Sequence, residues 1–182
     1  RVLCFLFRYI VNMKILSGDY KGLSIITKKR TNYRPTQSRI RKSIFDILKP
    51  FSYLNVLDLF SGTGIIGFEA ASRGAESVTF IDNDIRSIKL LKINQNKFDN
   101  TNFIIIKNNA LSFLKKIDKK YDLIFADPPY DCLDYSVLIK ECVQRLSENG
   151  KLIIEMNKNN FSYKDAIEKL YGNTKIIIYT KK

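Results

Sequence analysis

The 182-residue chain contains no histidine and no tryptophan, and only three cysteines. Each shortage excludes something. Without histidine there is no Ser-His-Asp or Cys-His arrangement and no histidine-ligated metal. Cys4, Cys132 and Cys142 form no C-x-x-C pair, so a Cys₄ zinc site or an iron–sulfur cluster within one chain is excluded, and no metal is expected. So few cysteines do not make a disulfide scaffold and suit a reducing, cytoplasmic compartment. The apolar run Val2–Phe7 is far short of the roughly 20 residues that span a bilayer and lacks a small-residue cleavage site, so no membrane partner is expected. What remains is chemistry by carboxylates, backbone groups, aromatics, basic residues or an organic cofactor.

Acid is also scarce: 18 Asp+Glu stand against 31 Lys+Arg, a net charge of +13. The excess is not spread evenly. Residues 14–49 hold ten Lys/Arg and two Asp/Glu, whereas residues 50–182 are close to balanced. Focused charge of one sign points to a polyanion partner, although a merely solvated basic face gives the same count. With 45% hydrophobic residues, the chain has enough apolar material for one globular core.

The organisation reads in three parts. Residues 1–12 are expected to be an appendage upstream of the natural start, because Met13 directly precedes the first well-patterned segment. Residues 13–50 read as a basic extension. Two short strands, Lys14–Ser17 and Leu23–Ile26, flank a Gly/Asp turn, and an amphipathic helix follows Thr36 as N-cap. Ile40, Ile44, Phe45 and Leu48 form the helix's apolar stripe, with Arg39, Arg41 and Lys42 expected off it. Residues 51–182 alternate strands and helices. Strands are expected at Leu54–Leu59, Ser77–Ile81, Phe103–Ile106, Tyr121–Ala126 and Lys151–Glu155. Helices are expected at 64–73, 85–98, 111–117 and 135–146. Continuous apolar strands separated by helices mean a parallel α/β sheet covered on both faces. Tyr163–Leu170 is ambiguous. Lys175–Thr180 is a strand, and a tight turn at 171–174 suggests a terminal antiparallel hairpin.

Two loops carry chemistry. The first is Asp58-Leu59-Phe60-Ser61-Gly62-Thr63-Gly64, between a strand and a helix. Gly62, Gly64 and Gly67 match G-x-G-x-x-G, and Asp82 ends the next strand 20 residues beyond Gly62. Glycines allow close backbone approach, and Asp82 can accept bonds from ribose hydroxyls. NAD and another adenosine cofactor compete for this pattern. Asp58 would repel the pyrophosphate of NAD but suits a cofactor bearing an ammonium or a sulfonium. S-adenosylmethionine has both. Asp58 as a simple turn cap is the third possibility.

The second loop is Asp127-Pro128-Pro129-Tyr130, directly after a strand and so at the carboxyl edge of the sheet. An exocyclic amine on a nucleobase is a poor nucleophile because its lone pair is delocalised. The Asp127 carboxylate and the Pro128 carbonyl can accept its two N–H bonds and turn the lone pair toward an electrophilic methyl. Consecutive prolines fix that carbonyl's direction, and Tyr130 can stack on the base.

Val56–Gly64, Phe80–Asp82 and Asp127–Tyr130 resemble the class I, Rossmann-like methyltransferases that act on nucleobase amines. Leu16–Gly22, Arg34–Phe45, Gly67–Ala75 and Tyr171–Tyr179 narrow the resemblance to the bacterial 16S rRNA guanine-N2 methyltransferase family of the RsmD type. It covers residues 14–180. It implies a seven-stranded, mostly parallel sheet and methylation of a guanine N2 in 16S rRNA by S-adenosylmethionine. By position, Asp58, Phe60, Gly62, Gly64, Asp82, Asn83, Asn109, Ala110 and Thr36 would line the cofactor. Asp127, Pro128, Pro129 and Tyr130 would be catalytic. Arg34, Arg39, Arg41 and Lys21 would contact RNA on a basic rim flanking the catalytic mouth. A monomer acting on 16S rRNA within a 30S subunit or assembly intermediate is expected. A DNA adenine-N6 or other RNA amine methyltransferase, an NAD-dependent oxidoreductase and a non-catalytic RNA-binding module are the alternatives.

Overall fold

In the computed structural model, residues 10–28, 36–129, 134–159 and 161–182 are described. β1 (Ile10–Lys14) and β2 (Ser24–Lys28) form an antiparallel hairpin and α1 (Thr36–Ile47) follows. Five β-strands then alternate with four helices: β3 (Asn55–Leu59), α2 (Ile65–Ser72), β4 (Ser77–Asp82), α3 (Ile85–Gln95), β5 (Asn102–Lys107), α4 (Ala110–Lys116), β6 (Tyr121–Ala126), α5 (Tyr135–Gln144) and β7 (Leu146–Asn157). β8 (Ile167–Tyr171) and β9 (Thr174–Thr180) close the chain. The main sheet has the order β5-β4-β3-β6-β7-β9-β8, with β3 to β7 parallel and β9 antiparallel to both β7 and β8.

Both faces of the sheet are buried, as the unbroken apolar strands require. On one face Val56, Val78, Phe80, Phe125 and Ile153 pack under α1, α2 and α3. On the other, Leu57, Leu59, Ile81, Ile124 and Ile154 pack under α4 and α5. β3 has β4 on one side and β6 on the other. The chain's direction of winding therefore reverses between β3 and β6, and that crevice at the carboxyl edge is where open α/β sheets bind ligands.

The hairpin and α1 are tied into this core by one side chain. Glu69 of α2 is fully buried. Its carboxylate accepts from the backbone of Leu16 (2.7 Å) and Ser17 (3.0 Å) and from Arg73 Nε (3.0 Å) and Nη2 (2.7 Å). Arg41 Nε approaches it at 3.7 Å. Ser72, at the end of α2, accepts from Asp19 N and Tyr20 N and donates to the Ser17 carbonyl. Gly18 sits so close that a Cβ there would lie 1.7 Å from the Ser72 carbonyl oxygen, so only glycine fits. The Asn94 amide supplies both a donor and an acceptor to Ile26 of β2, standing in for a neighbouring strand.

These contacts set directions. Arg41 of α1 meets Glu69, and four residues further along both helices Arg73 lies 4.5 Å from the Phe45 ring centroid. α1 and α2 therefore run side by side in one direction. The start of α1 is level with the start of α2, at the carboxyl edge. The β1–β2 turn, held by Ser72, lies at the opposite, amino edge.

Several expectations need adjusting. The hairpin begins at Ile10 and ends at Lys28, so three residues assigned to the appendage pair with Ile26–Lys28. Residues 1–9 lie outside the described residues. α3 stops at Gln95, because the chain turns to send Phe98 into an aromatic group with Phe68 and Phe103. α5 stops at Gln144, and β7 takes over from Leu146. The ambiguous Tyr163–Leu170 contributes an edge strand, β8, exposed along Ile167–Leu170, which is why its apolar residues show no simple period.

Removing the acceptor from two backbone N–H groups and Arg73, and the counter-charge from Arg41, should be severe. Glu69→Ala is expected to cost about 3–5 kcal/mol in urea denaturation. It should also raise hydrogen exchange at Leu16 and Ser17.

Candidate active site

Four carboxylates gather at the carboxyl edge of β3, β4, β6 and β7. Asp58, in β3, is buried at 5% exposure, and its Oδ2 accepts from Gly67 N (3.0 Å). Gly67 is the third residue of α2, whose own N-cap, Gly64, offers no side-chain bond. Asp58 thus satisfies an otherwise orphaned donor of the first turn from a distance of nine residues. Burial pushes its carboxyl well above the ordinary range, opposed by the Gly67 N–H and reinforced by the charges of Asp127 and Asp82.

Asp82, at the end of β4, holds the glycine loop. Its Oδ2 accepts from Gly62 N and its Oδ1 from Asp84 N, both at 2.7 Å. A carboxylate has about four lone-pair sites, so two remain for ribose hydroxyls. Ser61 completes the clasp: its N–H donates to the Ile81 carbonyl (3.0 Å) and its hydroxyl to the Asp58 carbonyl (2.6 Å). Phe60 and Gly64 both have positive φ, 58° and 72°. At Gly64 a Cβ would lie 2.3 Å from Leu91 Cδ2, so the bend demands glycine. At Phe60, a non-glycine residue in the left-handed region marks local strain beside the loop. Above Gly62 an added Cβ would meet only the Phe60 carbonyl oxygen at 3.8 Å, leaving the loop open toward a ligand.

The remaining cofactor candidates line the same edge. Asn83 is exposed immediately after β4. Asn109 follows β5 and caps α4 through Ser112 N (3.0 Å), with Ala110 buried behind it. Thr36 opens α1, level with the glycine loop. Asp127 is exposed just past β6, Pro128 is buried and Pro129 exposed. Tyr130 and Arg34 lie outside the described residues.

The basic rim is smaller than expected. Arg39 is exposed near the start of α1, at the carboxyl edge. Arg41 is not at the surface: it is 3% exposed, and its Nη2 donates to the Lys14 carbonyl at 2.6 Å. Helical spacing carried this signal, since Arg41 lies four residues before Phe45 and seven before Leu48, on their face. Lys21 is exposed but sits in the β1–β2 turn at the amino edge, away from the mouth.

Sequence reasoning missed Glu155. The pairing of Ala126 with Ile154 places Asp127 and Glu155 next out on adjacent strands. Burial and the neighbouring Asp127 charge push the Glu155 carboxyl up to about 7. The signal was available, because Glu155 is an acid late in an apolar strand, as Asp58 and Asp82 are. Among the described residues no cluster of His, Cys, Asp or Glu is arranged to hold a metal. No helix among them is long and apolar enough to cross a membrane.

This topology and a helix N-terminus closed by a carboxylate define a class I methyltransferase fold. The comparisons agree. The family described as Conserved hypothetical protein 95 matches residues 13–180. Ribosomal RNA small subunit methyltransferase D of Buchnera aphidicola is 38% identical over 86% of this chain and 79% of that protein. Its Escherichia coli namesake is 31% identical over 79% of the chain and 71% of that protein. Among solved structures, "Putative methyltransferase yhhF from Escherichia coli" superposes with a TM-score of 0.83 at 25% identity, covering 94% of this chain and 98% of that one. The SAM-dependent methyltransferase from Agrobacterium tumefaciens shares the fold, with a TM-score of 0.74 at 18% identity, over 96% of this chain and 71% of that one. The chain belongs to the family of small-subunit rRNA methyltransferase D.

Asp58 offers a test of its capping role. Its raised carboxyl means that the folded state holds a proton the unfolded chain has released, so stability falls as pH rises from the ordinary value of 3.8 through the folded-state value. Asp58→Asn keeps an acceptor for Gly67 N and removes the titration. Thermal melts should show a variant at least as stable as the parent at pH 7 and less dependent on pH above 4.

Proposed function

We propose that this chain transfers a methyl group from S-adenosylmethionine to the exocyclic N2 of a guanine in 16S rRNA. The observation that carries the reading is the carboxylate-lined edge at the sheet's reversal point, with Asp127 and Pro128 beside it. Pyrophosphate-binding sites use a free helix N-terminus. Here the Asp58 carboxyl already caps that terminus, and the charge of Asp82 stands beside it, which favours a cationic ligand over NAD. The residues present fit S-adenosylmethionine: the loop is open above Gly62, and Asp82 has acceptor capacity left for a ribose. When bound, that cofactor supplies a methyl group on a positively charged sulfur.

The chain's own residues do the rest. Phe60, Gly62, Gly64, Asn83, Asn109, Ala110 and Thr36 border the cofactor. Asp127 and the Pro128 carbonyl accept the two N–H bonds of the amine, which directs its lone pair and favours pyramidal nitrogen as the new bond forms. Tyr130 follows them in the chain and stacks on the extruded base. Arg34 and Arg39 hold rRNA phosphates. The substrate is the small-subunit rRNA in a 30S subunit or assembly intermediate, and the enzyme acts as a monomer in the cytoplasm.

Labelled S-adenosylmethionine, incubated with 30S particles and with free rRNA, should yield N2-methylguanosine on nucleoside analysis; N6-methyladenosine or no product overturns the assignment. Asp127→Ala should lower turnover by about a hundredfold or more while cofactor affinity by calorimetry stays close to that of the parent. Arg39→Ala should weaken rRNA binding at every sequence and reduce the slope of log K against log salt by roughly 0.7–0.9.

A further inference from the structure

The mechanism leaves one problem unsolved: the methylated amine must lose a proton, and Asp127 is exposed and already committed to positioning. The structure supplies a second carboxylate. Phe125 and Ile153 are paired across β6 and β7 and lie in the same core cluster. Side chains alternate along a strand, so the next residues on that face are Asp127 and Glu155, on strands about 4.8 Å apart. Glu155 is partly buried, between Asp127 on one side and Ile176 of β9 on the other.

Among the described residues no cation pairs with it. Asp58 lies one row further in on the same face. Lys169 of β8 shares Glu155's row only across β9, about 10 Å away, and is exposed. Lys175 of β9 projects to the other face, where it donates to the Phe161 carbonyl (2.6 Å) and pairs with Glu168 (3.2 Å). From α1, Arg41 is turned to Glu69 and Lys42 to Asp46, and Ser43 is paired with the hydroxyl of Tyr171. Arg39 is exposed toward solvent.

We infer that Glu155 is a positioning residue that works through Asp127 as the store for the proton released from the methylated amine. The inference rests on the proposed role of Asp127. The amine's lone pair forms the bond to the methyl carbon while the carbon–sulfur pair returns to sulfur. The amine, now an ammonium, passes one proton to the Asp127 carboxylate, and Glu155 takes it from Asp127 and later gives it to water. Two adjacent carboxylates share one proton readily because they resist being ionised together. The value of about 7 for Glu155 matches that task.

The test compares Glu155→Gln, Glu155→Asp, Asp127→Asn and Asp127→Ala. In the parent, the single-turnover rate should rise with pH through about 7, since Glu155 must be ionised to accept. Glu155→Gln should abolish that inflection and lower the rate above it by roughly tenfold to a hundredfold. Affinities for S-adenosylhomocysteine and rRNA should be unchanged. Glu155→Asp should restore a titration and most of the rate, and serves alone if the Gln variant does not fold. In the cofactor-free parent, the Glu155 carboxyl carbon should titrate near 7 by NMR, and its midpoint should fall in Asp127→Asn. A Gln variant with the parent's rate and profile overturns the inference, as does one that only weakens S-adenosylhomocysteine binding. Full activity in Asp127→Ala would instead overturn the role of Asp127 itself.

Discussion

The arrangement of the molecule depends on one buried carboxylate, that of Glu69. A charge taken out of water costs several kcal/mol unless its lone pairs are met. Here they are met by two backbone N–H groups of the hairpin and the guanidinium of Arg73, with Arg41 close by. The donors come from β1's exit, α1 and α2, so satisfying Glu69 locks three elements in one geometry. That geometry decides which parts of the basic extension can meet a substrate. It sends the start of α1 to the carboxyl edge and the β1–β2 turn to the amino edge. It also withdraws Arg41 from the surface altogether.

The carboxyl edge follows a second constraint. The first turn of α2 needs acceptors, and Asp58 provides one from inside the core while Asp82 and Ser61 bind the loop across β3 and β4. The outcome is a negatively charged crevice on a protein with a net charge of +13. The two signs lie apart: the acids converge at the crevice while Lys21 stands at the amino edge and Arg41 is buried, and screening over about 8–10 Å keeps the two fields local. Like charges crowded at the sheet edge also raise the carboxyls of Asp58 and Glu155.

Much of this was legible in the residue order. Apolar runs placed the strands, glycine spacing placed the turn, and the lone acids late in β3 and β4 marked the carboxyl edge. Tyr171-Gly172-Asn173-Thr174 correctly announced the terminal hairpin, whose strands meet around Gly172 and Asn173. Helix ends were less legible. Whether α3 continues past Gln95 depends on Phe98 finding Phe68 and Phe103, which is a long-range contact. Glu155 was overlooked because β7 was read only as an apolar strand. Its partner, Asp127, becomes its neighbour only when β6 and β7 pair.

Local sequence by itself determined the α/β class, the glycine loop and the acid that closes it, because those features arise from backbone geometry and chemistry within a few residues. Only the tertiary structure decided where the basic residues face and which carboxylates share an edge. Those outcomes depend on strand register and on a buried charge gathering donors from segments about fifty residues away in the chain, as Leu16 and Ser17 are from Glu69. Arg39 and Arg41 show the division: two residues apart on one helix, one faces solvent beside the mouth and the other serves the core.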